Sequence, residues 1–261
     1  MSSPSHMTFA ELGIPFPLFA APVAEASKYD GLGTCELCNT AESHCFRIGI
    51  GDAVTHPCAS CGDVVGHHVA DRAAVPCPSC SAVAPWPAGL GGRIRVCYAC
   101  VRAGRGLMGK DTEFGLLSWE QRVAGVTLGV PGLGEHRQDY PGVELVQTGD
   151  PEMQLGEMMD AWFGAKLPAA AMDELLRTPT YSTWQGETWL FEGPTPMIYL
   201  GCWQASNFDA HAEDGNGERL FLEAVQDADE GTWDDLADGS ISVYVFRSPT
   251  SGRLRGTWDR D

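Results

Sequence analysis

The sequence lacks a membrane-length apolar run and has little positive charge. A membrane helix needs about 20 consecutive apolar residues, and no such run occurs in these 261 residues. Lys and Arg number 17 against 35 Asp and Glu, so the formal net charge is −18. General duplex DNA binding is disfavoured because it requires a positive surface, whereas a basic partner suits this charge. Membrane association is not expected.

An export signal and the common catalytic signatures are also missing. The apolar segment 14–24 contains three prolines, and no Lys or Arg precedes it, so it lacks the positive region of a signal peptide. We therefore expect a cytoplasmic protein. No G-x-S-x-G, Walker-type, H-E-x-x-H or dinucleotide-binding pattern is present. Paired acids such as Asp234/Asp235 lie in polar sequence that is typical of solvated surface, and we predict that the chain is not an enzyme.

Charge and cysteine divide the chain unevenly. Residues 1–110 carry 8 basic and 8 acidic side chains, whereas residues 111–261 carry 9 basic and 27 acidic ones. Nine of the ten cysteines lie within the first 100 residues. A Gly-rich stretch with two prolines, residues 126–142, separates the two compositions. We predict a Cys-rich module over residues 1–125, a linker over residues 126–142 and an acidic module over residues 143–261.

The predicted fold class is α+β. The first module is rich in Gly, Pro and Cys, which indicates short strands and knuckle turns of the zinc-ribbon type. In the acidic module, caps and apolar periodicity predict helices over residues 150–166, 169–177 and 219–227. An apolar run predicts a strand over residues 197–203. Two alternating segments, residues 241–246 and 253–258, flank a Ser/Pro/Gly turn and predict a C-terminal β-hairpin.

Eight of the cysteines form four C-x-x-C pairs. Such a pair places two sulfur atoms on one tight turn, and two turns complete a tetrahedral zinc site with Zn–S distances of about 2.3 Å. In a reducing compartment, paired cysteines are typical of metal binding rather than of disulfides. Two closed sites of four cysteines each leave no position for a catalytic water, so we predict two structural Zn2+ ions. The predicted ligands are Cys35, Cys38, Cys58, Cys61, Cys77, Cys80, Cys97 and Cys100.

The spacing leaves the pairing of these cysteines open. Consecutive pairing gives gaps of 19 and 16 residues, and nested pairing gives an inner gap of 15 residues. A cross-brace arrangement is a third alternative. His44, His56, His67 and His68 lie close by in sequence, but each is expected to be a surface or supporting residue. Cys45 and Cys202 are outside the pairs, and Cys202 is expected in the core.

Three segments resemble the CbrC-like family. The first contains Cys35-x-x-Cys38 and, later, the sequence from Val96 to Gly104. The second runs from Arg177 to Gln185 and is similar to the family signature R-T-P-x-Y-x-x-W-Q, followed by Trp189-Leu190. The sequence from Val243 to Arg247 resembles the family's terminal hairpin. The resemblance extends over most of the chain, from about Phe16 onward.

The resemblance carries three implications. In shorter relatives the first and last C-x-x-C pairs lie closer together, so the segment from Cys58 to Cys80 looks inserted, which favours nested pairing. Family members typically carry another C-x-x-C in the final hairpin, where this chain has Ser248 and Ser251, so no metal site is implied there. The family takes its name from tolerance to a DNase-type colicin, although its biochemical mechanism is not established.

These features predict a zinc-containing intracellular binding protein of toxin-tolerance, immunity or stress-defence type. Its partner would be a basic, toxin-like protein attracted by the acidic module. Four tryptophans, at positions 184, 189, 203 and 233, are candidate aromatic anchors. The alternative is nucleic-acid binding or regulation through the zinc module, where Arg93, Arg95, Arg102, Arg105 and Lys110 cluster around the last knuckle.

Overall fold

The computed structural model describes residues 6–148 and 162–260. It contains two compact units, one formed by Met1–Ser27 with Tyr181–Asp261 and the other by Lys28–Thr180. We call them the terminal unit and the central unit. This division differs from the predicted domains of residues 1–125 and 143–261. The predicted linker, residues 126–142, lies inside the central unit, where it includes a strand and the 3-10 helix Leu133–Asp139.

The central unit is built from short strands with three α-helices in its described part. The helices are α1 (Tyr98–Arg102), α2 (Trp119–Ala124) and α3 (Ala169–Leu176). The strands are β1 (Tyr29–Gly33), β2 (Ser43–Ile48), β3 (Ala53–Pro57), β4 (Val64–His68), β5 (Val75–Pro76), β6 (Val83–Ala84), β7 (Ile94–Cys97), β8 (Gly106–Leu107), β9 (Lys110–Thr112), β10 (Gly115–Leu117), β11 (Val130–Pro131), β12 (Glu144–Thr148) and β13 (Trp162–Lys166).

The terminal unit has a larger sheet and a group of helices. Its N-terminal segment contains the short 3-10 helix Val23–Glu25. Its strands are β14 (Phe191–Glu192), β15 (Thr195–Pro196), β16 (Ile198–Trp203), β17 (Ile241–Arg247) and β18 (Leu254–Arg260). Its helices are α4 (Ala205–His211), α5 (Gly217–Ala224) and α6 (Glu230–Asp238).

Small antiparallel sheets position the cysteines of the central unit. One sheet has the order β1-β2-β7, a second has the order β4-β3-β8, and β5 pairs with β6 in a separate two-stranded sheet. In the first sheet, Cys45 of β2 lies opposite Cys97 of β7. Hairpins of this kind end in tight turns, and a tight turn is where a C-x-x-C pair can direct two sulfur atoms toward one point.

The terminal unit is organised around the antiparallel sheet β16-β17-β18. One face packs against α4, α5 and α6 through an apolar cluster that includes Trp203, Phe208, Phe221 and Val243. An aromatic group formed by Tyr181, Trp189, Tyr199 and Phe246 is a second buried cluster. Apolar burial on this scale is the main stabilising contribution in a domain of this size.

The N-terminal segment belongs to this unit because its aromatic residues are buried there. Phe9, Phe16 and Phe19 are all at most 4% exposed. Phe19 forms a parallel bridge with Tyr199, and the ring centroids of these two residues lie 5.3 Å apart. A prediction based on composition along the chain could not find this association, because the two segments are more than 170 residues apart in sequence.

Most predicted elements of the acidic sequence are confirmed. Helix α3 matches the prediction for residues 169–177, α5 lies within two residues of the predicted start at 219, and the strands β16, β17 and β18 form the predicted strand and hairpin. The helix predicted over residues 150–166 is wrong at its end, because residues 162–166 form β13. This segment pairs with β11 and β12 in a sheet. Residues 150–161 of that prediction lie outside the described residues.

Replacement of Trp189 by alanine should destabilise the terminal unit strongly. The Trp189 side chain is fully buried, and its Nε1–H donates to the Met197 carbonyl at 2.9 Å. Loss of a buried Trp side chain typically costs about 3–5 kcal/mol in the free energy of unfolding. Chemical denaturation should show this decrease. Trp184, which is 77% exposed, is the matched control, and Trp184→Ala should change the same quantity by less than about 0.5 kcal/mol.

Candidate metal centres

The structure groups the eight paired cysteines into two tetrads. In each tetrad all four Sγ atoms lie within 4.8 Å of one another. The outer tetrad contains Cys35, Cys38, Cys97 and Cys100, and the inner tetrad contains Cys58, Cys61, Cys77 and Cys80. This is the nested grouping that the resemblance favours, and it differs from consecutive or cross-brace pairing.

The outer tetrad joins a hairpin turn to the start of a helix. Cys35 and Cys38 lie in the turn between β1 and β2. Cys97 ends β7 and caps α1, and Cys100 lies within α1. Because β2 lies between β1 and β7 in one sheet, the strand pairing itself brings these two distant segments together. Three of the four residues are buried, and Cys38 is exposed.

The inner tetrad joins two hairpins. Cys58 directly follows β3, and Cys61 lies shortly before β4. Cys77 directly follows β5, and Cys80 lies shortly before β6. This arrangement of two hairpin turns facing each other is that of a zinc ribbon. The apolar cluster around it is small and consists of Cys58, Val65, Cys77 and Ala84, with Val75 and Ala82 partly buried against it.

Three of the four C-x-x-C pairs lie on turns with the same backbone hydrogen bonds. In each, the N–H of the first cysteine donates to the carbonyl five residues later, and the N–H four residues later donates back to the cysteine carbonyl. The donor–acceptor pairs are Cys35 N to Thr40 O, Asn39 N to Cys35 O, Cys58 N to Asp63 O, Gly62 N to Cys58 O, Cys77 N to Ala82 O and Ser81 N to Cys77 O. We call this pattern the knuckle turn.

Each knuckle turn has a left-handed residue directly after its second cysteine. Asn39, Gly62 and Ser81 occupy this position with φ of 58°, 83° and 60°. Asn and Gly adopt this conformation readily, so the sequence itself indicates a left-handed residue after Cys38 and after Cys61. Ser81 gives no such signal, because serine is not enriched in the left-handed region.

The distances between sulfur atoms match a tetrahedral metal ion. Four ligands placed about 2.3 Å from a zinc ion lie about 3.8 Å from one another. In the outer tetrad, Sγ–Sγ distances are 3.9 Å for Cys35–Cys100 and 3.7 Å for Cys38–Cys97. In the inner tetrad they are 3.7 Å for Cys58–Cys80 and 3.6 Å for Cys61–Cys77. None of the ten cysteines forms a disulfide. The two tetrads therefore fit a metal ion with four thiolate ligands.

In each tetrad, hydrogen bonds favour the thiolate form of one cysteine. The Thr40 hydroxyl lies 3.1 Å from Cys38 Sγ, and hydrogen bonds from its hydroxyl and backbone lower the pKa of Cys38 to about 6. Backbone N–H groups of Ser60 and Cys61 lower the pKa of Cys58 to about 6. Only the deprotonated sulfur binds a metal, so each tetrad contains at least one cysteine prepared for ligation.

Arg105 supports the outer tetrad from outside. One guanidinium nitrogen lies 3.7 Å from Cys100 Sγ, and the other donates to the Leu37 carbonyl at 2.8 Å. Four thiolates around one divalent ion carry a net charge of −2, so an arginine at this distance is stabilising. From the sequence alone, Arg105 is only a candidate nucleic-acid contact, and its position next to the metal site depends on the tertiary fold.

The remaining candidates near the tetrads are not ligands in this arrangement. His44 Nδ1 contacts the Tyr29 hydroxyl at 2.6 Å, and His68 pairs with Glu120 at 2.6 Å. His56 and His67 contact each other through their Nε2 atoms at 2.9 Å. Burial and the neighbouring thiol groups of the outer tetrad raise the pKa of Cys45 to about 11. A thiol with this pKa stays protonated near neutral pH and is a poor nucleophile.

Most members of the basic cluster already have partners inside the central unit. Arg95 pairs with Asp30. Arg102 forms a bidentate ion pair with Glu174, with N–O distances of 2.6 and 2.9 Å. The Lys110 ammonium is buried and donates to the Met108 carbonyl at 3.1 Å. These groups are therefore less available for phosphate than the sequence alone indicates.

The candidate aromatic anchors differ sharply in exposure. Trp189 and Trp203 are at most 5% exposed, and Trp233 is partly buried against Phe221. Only Trp184 among these four is fully accessible, at 77% exposure. Its backbone N–H and that of Gln185 both donate to the buried Asp259 carboxylate, at 3.1 and 3.3 Å, so the loop that presents Trp184 is held in place.

The terminal unit contains a buried polar site that no motif in the sequence indicates. Glu25 accepts hydrogen bonds from the Tyr199 hydroxyl at 2.6 Å and from Cys202 N at 2.8 Å, and burial raises the pKa of its carboxyl group. Gly201, with φ of 129°, admits this carboxylate, because a Cβ there would lie 2.9 Å from Oε1. Glu25, Gly201 and Cys202 border a cavity of about 500 Å3. Cys202, which was expected in the core, is half-buried at its edge.

A family model described as an uncharacterised protein family, UPF0167, matches residues 93–259. The matched segment covers more than half of the chain and includes Cys97 and Cys100, but it begins after the inner tetrad. Comparison with the curated proteins and with the solved structures gives no match. No described helix combines the length and the apolar character that a membrane crossing requires.

Proposed function

The chain belongs to the uncharacterised protein family UPF0167, and we propose that it is a zinc-containing binding protein for a basic protein partner. The two tetrads hold one Zn2+ each and stabilise the central unit. The acidic helices of the terminal unit form the contact surface. The finer assignment, toxin tolerance or immunity as in the CbrC-like family, rests on the sequence resemblance and on this acidic surface.

Zinc is the metal that the donor set favours. Tetrahedral sites with four sulfur ligands are typical of zinc and of iron–sulfur centres. A structural zinc site is closed, with all four positions taken by protein ligands, and each tetrad supplies four sulfurs. In this role the metal fixes the hairpins that carry the cysteines. Elemental analysis of protein purified without added metal should give two zinc ions per chain, and a coloured, iron-containing sample would contradict the assignment.

The observation that carries the partner proposal is the acidity of the α4–α6 segment. Residues 205–239 contain 11 acidic side chains and a single basic one, Arg219. Ten of the 11 acidic residues are exposed, and Asp235 is half-buried. The terminal unit as a whole carries 17 acidic and 5 basic residues, a net charge of −12, against −6 for the central unit. We define the exposed side of α4–α6 as the acidic layer.

The acidic layer suits a basic protein that itself binds nucleic acid. A nuclease binds phosphate through a positively charged surface, and an acidic protein surface can occupy that surface in place of the nucleic acid. Complementary charge also accelerates association and makes its rate sensitive to salt. Trp184 is an accessible aromatic residue in the same unit and is a candidate anchor at such an interface. Nucleic-acid binding is the competing proposal, and the internal ion pairs of Arg95 and Arg102 disfavour it.

Charge reversal in the acidic layer should slow association with a basic partner. The variant Glu213→Lys/Asp234→Lys changes two exposed carboxylates for which the structure gives no ion pair. With the DNase domain of a colicin as the probe, its association rate at low salt should fall by roughly tenfold, because charge steering supplies that part of the rate. The difference should shrink as salt screens the charges, with a Debye length of about 8 Å at 0.15 M.

The matched control changes the same total charge elsewhere. Glu42→Lys/Asp71→Lys alters two exposed acids of the central unit and should leave the rate within about twofold of the parent. If both variants behave alike, the acidic layer is not the contact surface. If neither the parent nor any variant binds the probe, and nuclease-sensitive binding to DNA or RNA appears instead, the competing proposal is correct.

A further inference from the structure

The turn between β17 and β18 is a knuckle turn without cysteine. Ser248 N donates to the Arg253 carbonyl at 2.8 Å, and Gly252 N donates to the Ser248 carbonyl at 3.1 Å. These are the same two backbone hydrogen bonds, at the same spacing, that define the three cysteine knuckles. Gly252, at the position after the second ligand, has φ of 77°. As in those turns, the segment connects two antiparallel strands.

Serine hydroxyls occupy the two ligand positions of this turn. Ser248 and Ser251 have the spacing of a C-x-x-C pair. The backbone N–H groups of Thr250 and Ser251 donate to Ser248 Oγ, both at 3.1 Å. In the inner tetrad, Ser60 N makes the corresponding contact with Cys58 Sγ at 3.4 Å. The turn therefore orients its two oxygen atoms as a cysteine knuckle orients its two sulfurs.

Both hydroxyls converge on one carboxylate. Ser248 Oγ donates to Glu192 Oε2 at 2.5 Å, and Ser251 Oγ donates to Glu192 Oε1 at 2.8 Å. Glu192 ends β14, and its partner across the β14–β15 hairpin is Thr195. A single group therefore bridges the two ligand positions of the knuckle and ties them to a second hairpin, which is what the metal ion would do in a tetrad.

These residues do not fit the metal ion that the resemblance associates with the final hairpin. Zinc in proteins is bound by Cys, His and carboxylates, and neutral serine hydroxyls are not among these ligands. Two arginines, Arg253 and Arg255, act electrostatically on Glu192 and disfavour a further cation. The hydroxyls also already donate to the carboxylate, so their protons occupy the directions that a cation would need.

We infer that Ser248–Gly252 is a zinc-knuckle turn that is closed by the carboxylate of Glu192 instead of a metal ion. The turn keeps the backbone of a metal site and replaces metal–sulfur bonds by two charge-assisted hydrogen bonds. The final hairpin is then insensitive to chelators and to thiol oxidation, whereas both tetrads are sensitive to them. The chain thus contains two thiol-dependent sites and one thiol-independent version of the same turn.

The carboxylate gives this closure a pH dependence of defined sign. Hydrogen bonds from Ser248 and then Ser251 hold the pKa of Glu192 below its usual value. A group whose pKa is lowered by folding stabilises the fold above its unfolded-state pKa, and this contribution is lost as the pH falls through the folded-state value. The turn should therefore be ordered at neutral pH and should loosen only in acid. Besides the two serines, the charged groups that act on Glu192 are Arg253 and Arg255.

The first test restores the metal ligands. The variant Glu192→Cys/Thr195→Cys/Ser248→Cys/Ser251→Cys places sulfur at the closing positions of both hairpins. It should bind one more Zn2+ or Co2+ per chain than the parent, with the cobalt absorption bands of tetrahedral thiolate ligation. The control, Glu192→Cys/Thr195→Cys/Thr250→Cys/Arg253→Cys, has equal spacing outside the ligand positions and should bind no additional ion. Equal metal content in both variants overturns the inference, whatever the parent itself contains.

The second test removes the closing carboxylate from the otherwise unchanged chain. Glu192→Ala should speed amide hydrogen exchange at Thr250 and Ser251 by roughly two- to tenfold, because the hydroxyl that accepts from them is no longer held. In the conservative Glu192→Gln variant, the exchange rates of these amides should lie between those of the parent and of Glu192→Ala, since the glutamine side chain keeps one carbonyl acceptor. Glu218→Ala, an exposed site in α5, is the control. Closure by Glu192 would be contradicted if the exchange of the Thr250 and Ser251 amides were unchanged in Glu192→Ala. It would also be contradicted if a chelator increased their exchange in the parent protein.

Discussion

Cys35→Ser should unfold the part of the central unit that the outer tetrad holds together, β1, β2, β7 and α1, and should remove at least one metal ion per chain. Cys35 is fully buried, and its Sγ accepts a hydrogen bond from Cys97 N at 3.2 Å. It also lies beside β1, so the outer tetrad connects that end of the sheet β1-β2-β7 to α1. Serine keeps the size of the side chain but removes a thiolate ligand, which leaves three ligands and an unsatisfied hydroxyl.

The expected effect is large because ligation energy is folding energy in such modules. A structural zinc site contributes about 10–16 kcal/mol in small zinc-binding peptides. The whole stability of a typical domain is only about 5–15 kcal/mol. Circular dichroism and hydrogen exchange should therefore show loss of structure over β1, β2, β7 and α1. Zinc should be measured in the same samples by elemental analysis.

The matched control for this prediction is Cys45→Ala. Cys45 is also fully buried and lies opposite Cys97 in the same sheet, but it belongs to neither tetrad. Its replacement should leave the metal content unchanged and should cost no more than an ordinary small cavity, about 1 kcal/mol. A Cys35→Ser protein that folds with the metal content of the parent would show that the outer tetrad is not a structural metal site.

Cys58→Ser/Cys77→Ser should remove one metal ion and leave the outer site filled. Both residues belong to the inner tetrad, so a single site loses two ligands. Under consecutive pairing, the same two substitutions would damage two sites, and both ions would be lost. Metal content after purification therefore distinguishes the nested arrangement from the consecutive one.

The loss of structure in this double variant should be confined to the hairpins that carry the inner tetrad. The strands β5 and β6 have two residues each and form a two-stranded sheet with one another, and the cluster around them has four fully buried members. Such a small core cannot replace the metal. Hydrogen exchange should rise around β5 and β6 while β1, β2 and β7 remain protected. Loss of protection throughout the central unit would show that the two sites are not independent.

Several features could be predicted from the sequence because they depend on local chemistry. The C-x-x-C spacing identifies all eight tetrad residues, since a tight turn fixes the separation of two sulfur atoms whatever surrounds it. The alternation in residues 241–246 and 253–258 identifies the final hairpin, because the period of a half-buried strand is set by its backbone. The helix predicted over residues 150–166 is wrong at its end because a capping pattern does not report strand partners, and β13 exists only through its pairing with β11 and β12.

Long-range features were decided by the tertiary structure. Composition placed the boundary in residues 126–142, but apolar burial places the N-terminal segment with the C-terminal sheet and keeps the Gly-rich stretch inside the central unit. From the sequence, Trp189 and Trp203 are candidate interface anchors, but in the structure they are core residues. The exposure of a side chain depends on packing, which no local sequence pattern contains. The availability of Arg95 and Arg102 likewise depends on their partners Asp30 and Glu174.

The sequence by itself determined which residues carry the chemistry: the eight paired cysteines, the excess of acidic side chains near the C-terminus and the serines in place of cysteines in the last turn. Only the tertiary structure decided which of these residues meet. Strand order brings Cys35 to Cys100 across 65 residues, and the approach of two hairpins brings Glu192 to Ser248 across 56 residues. The physical reason is that ligand spacing within a turn is fixed by covalent geometry, whereas contact between turns is fixed by the burial and pairing of the strands that carry them.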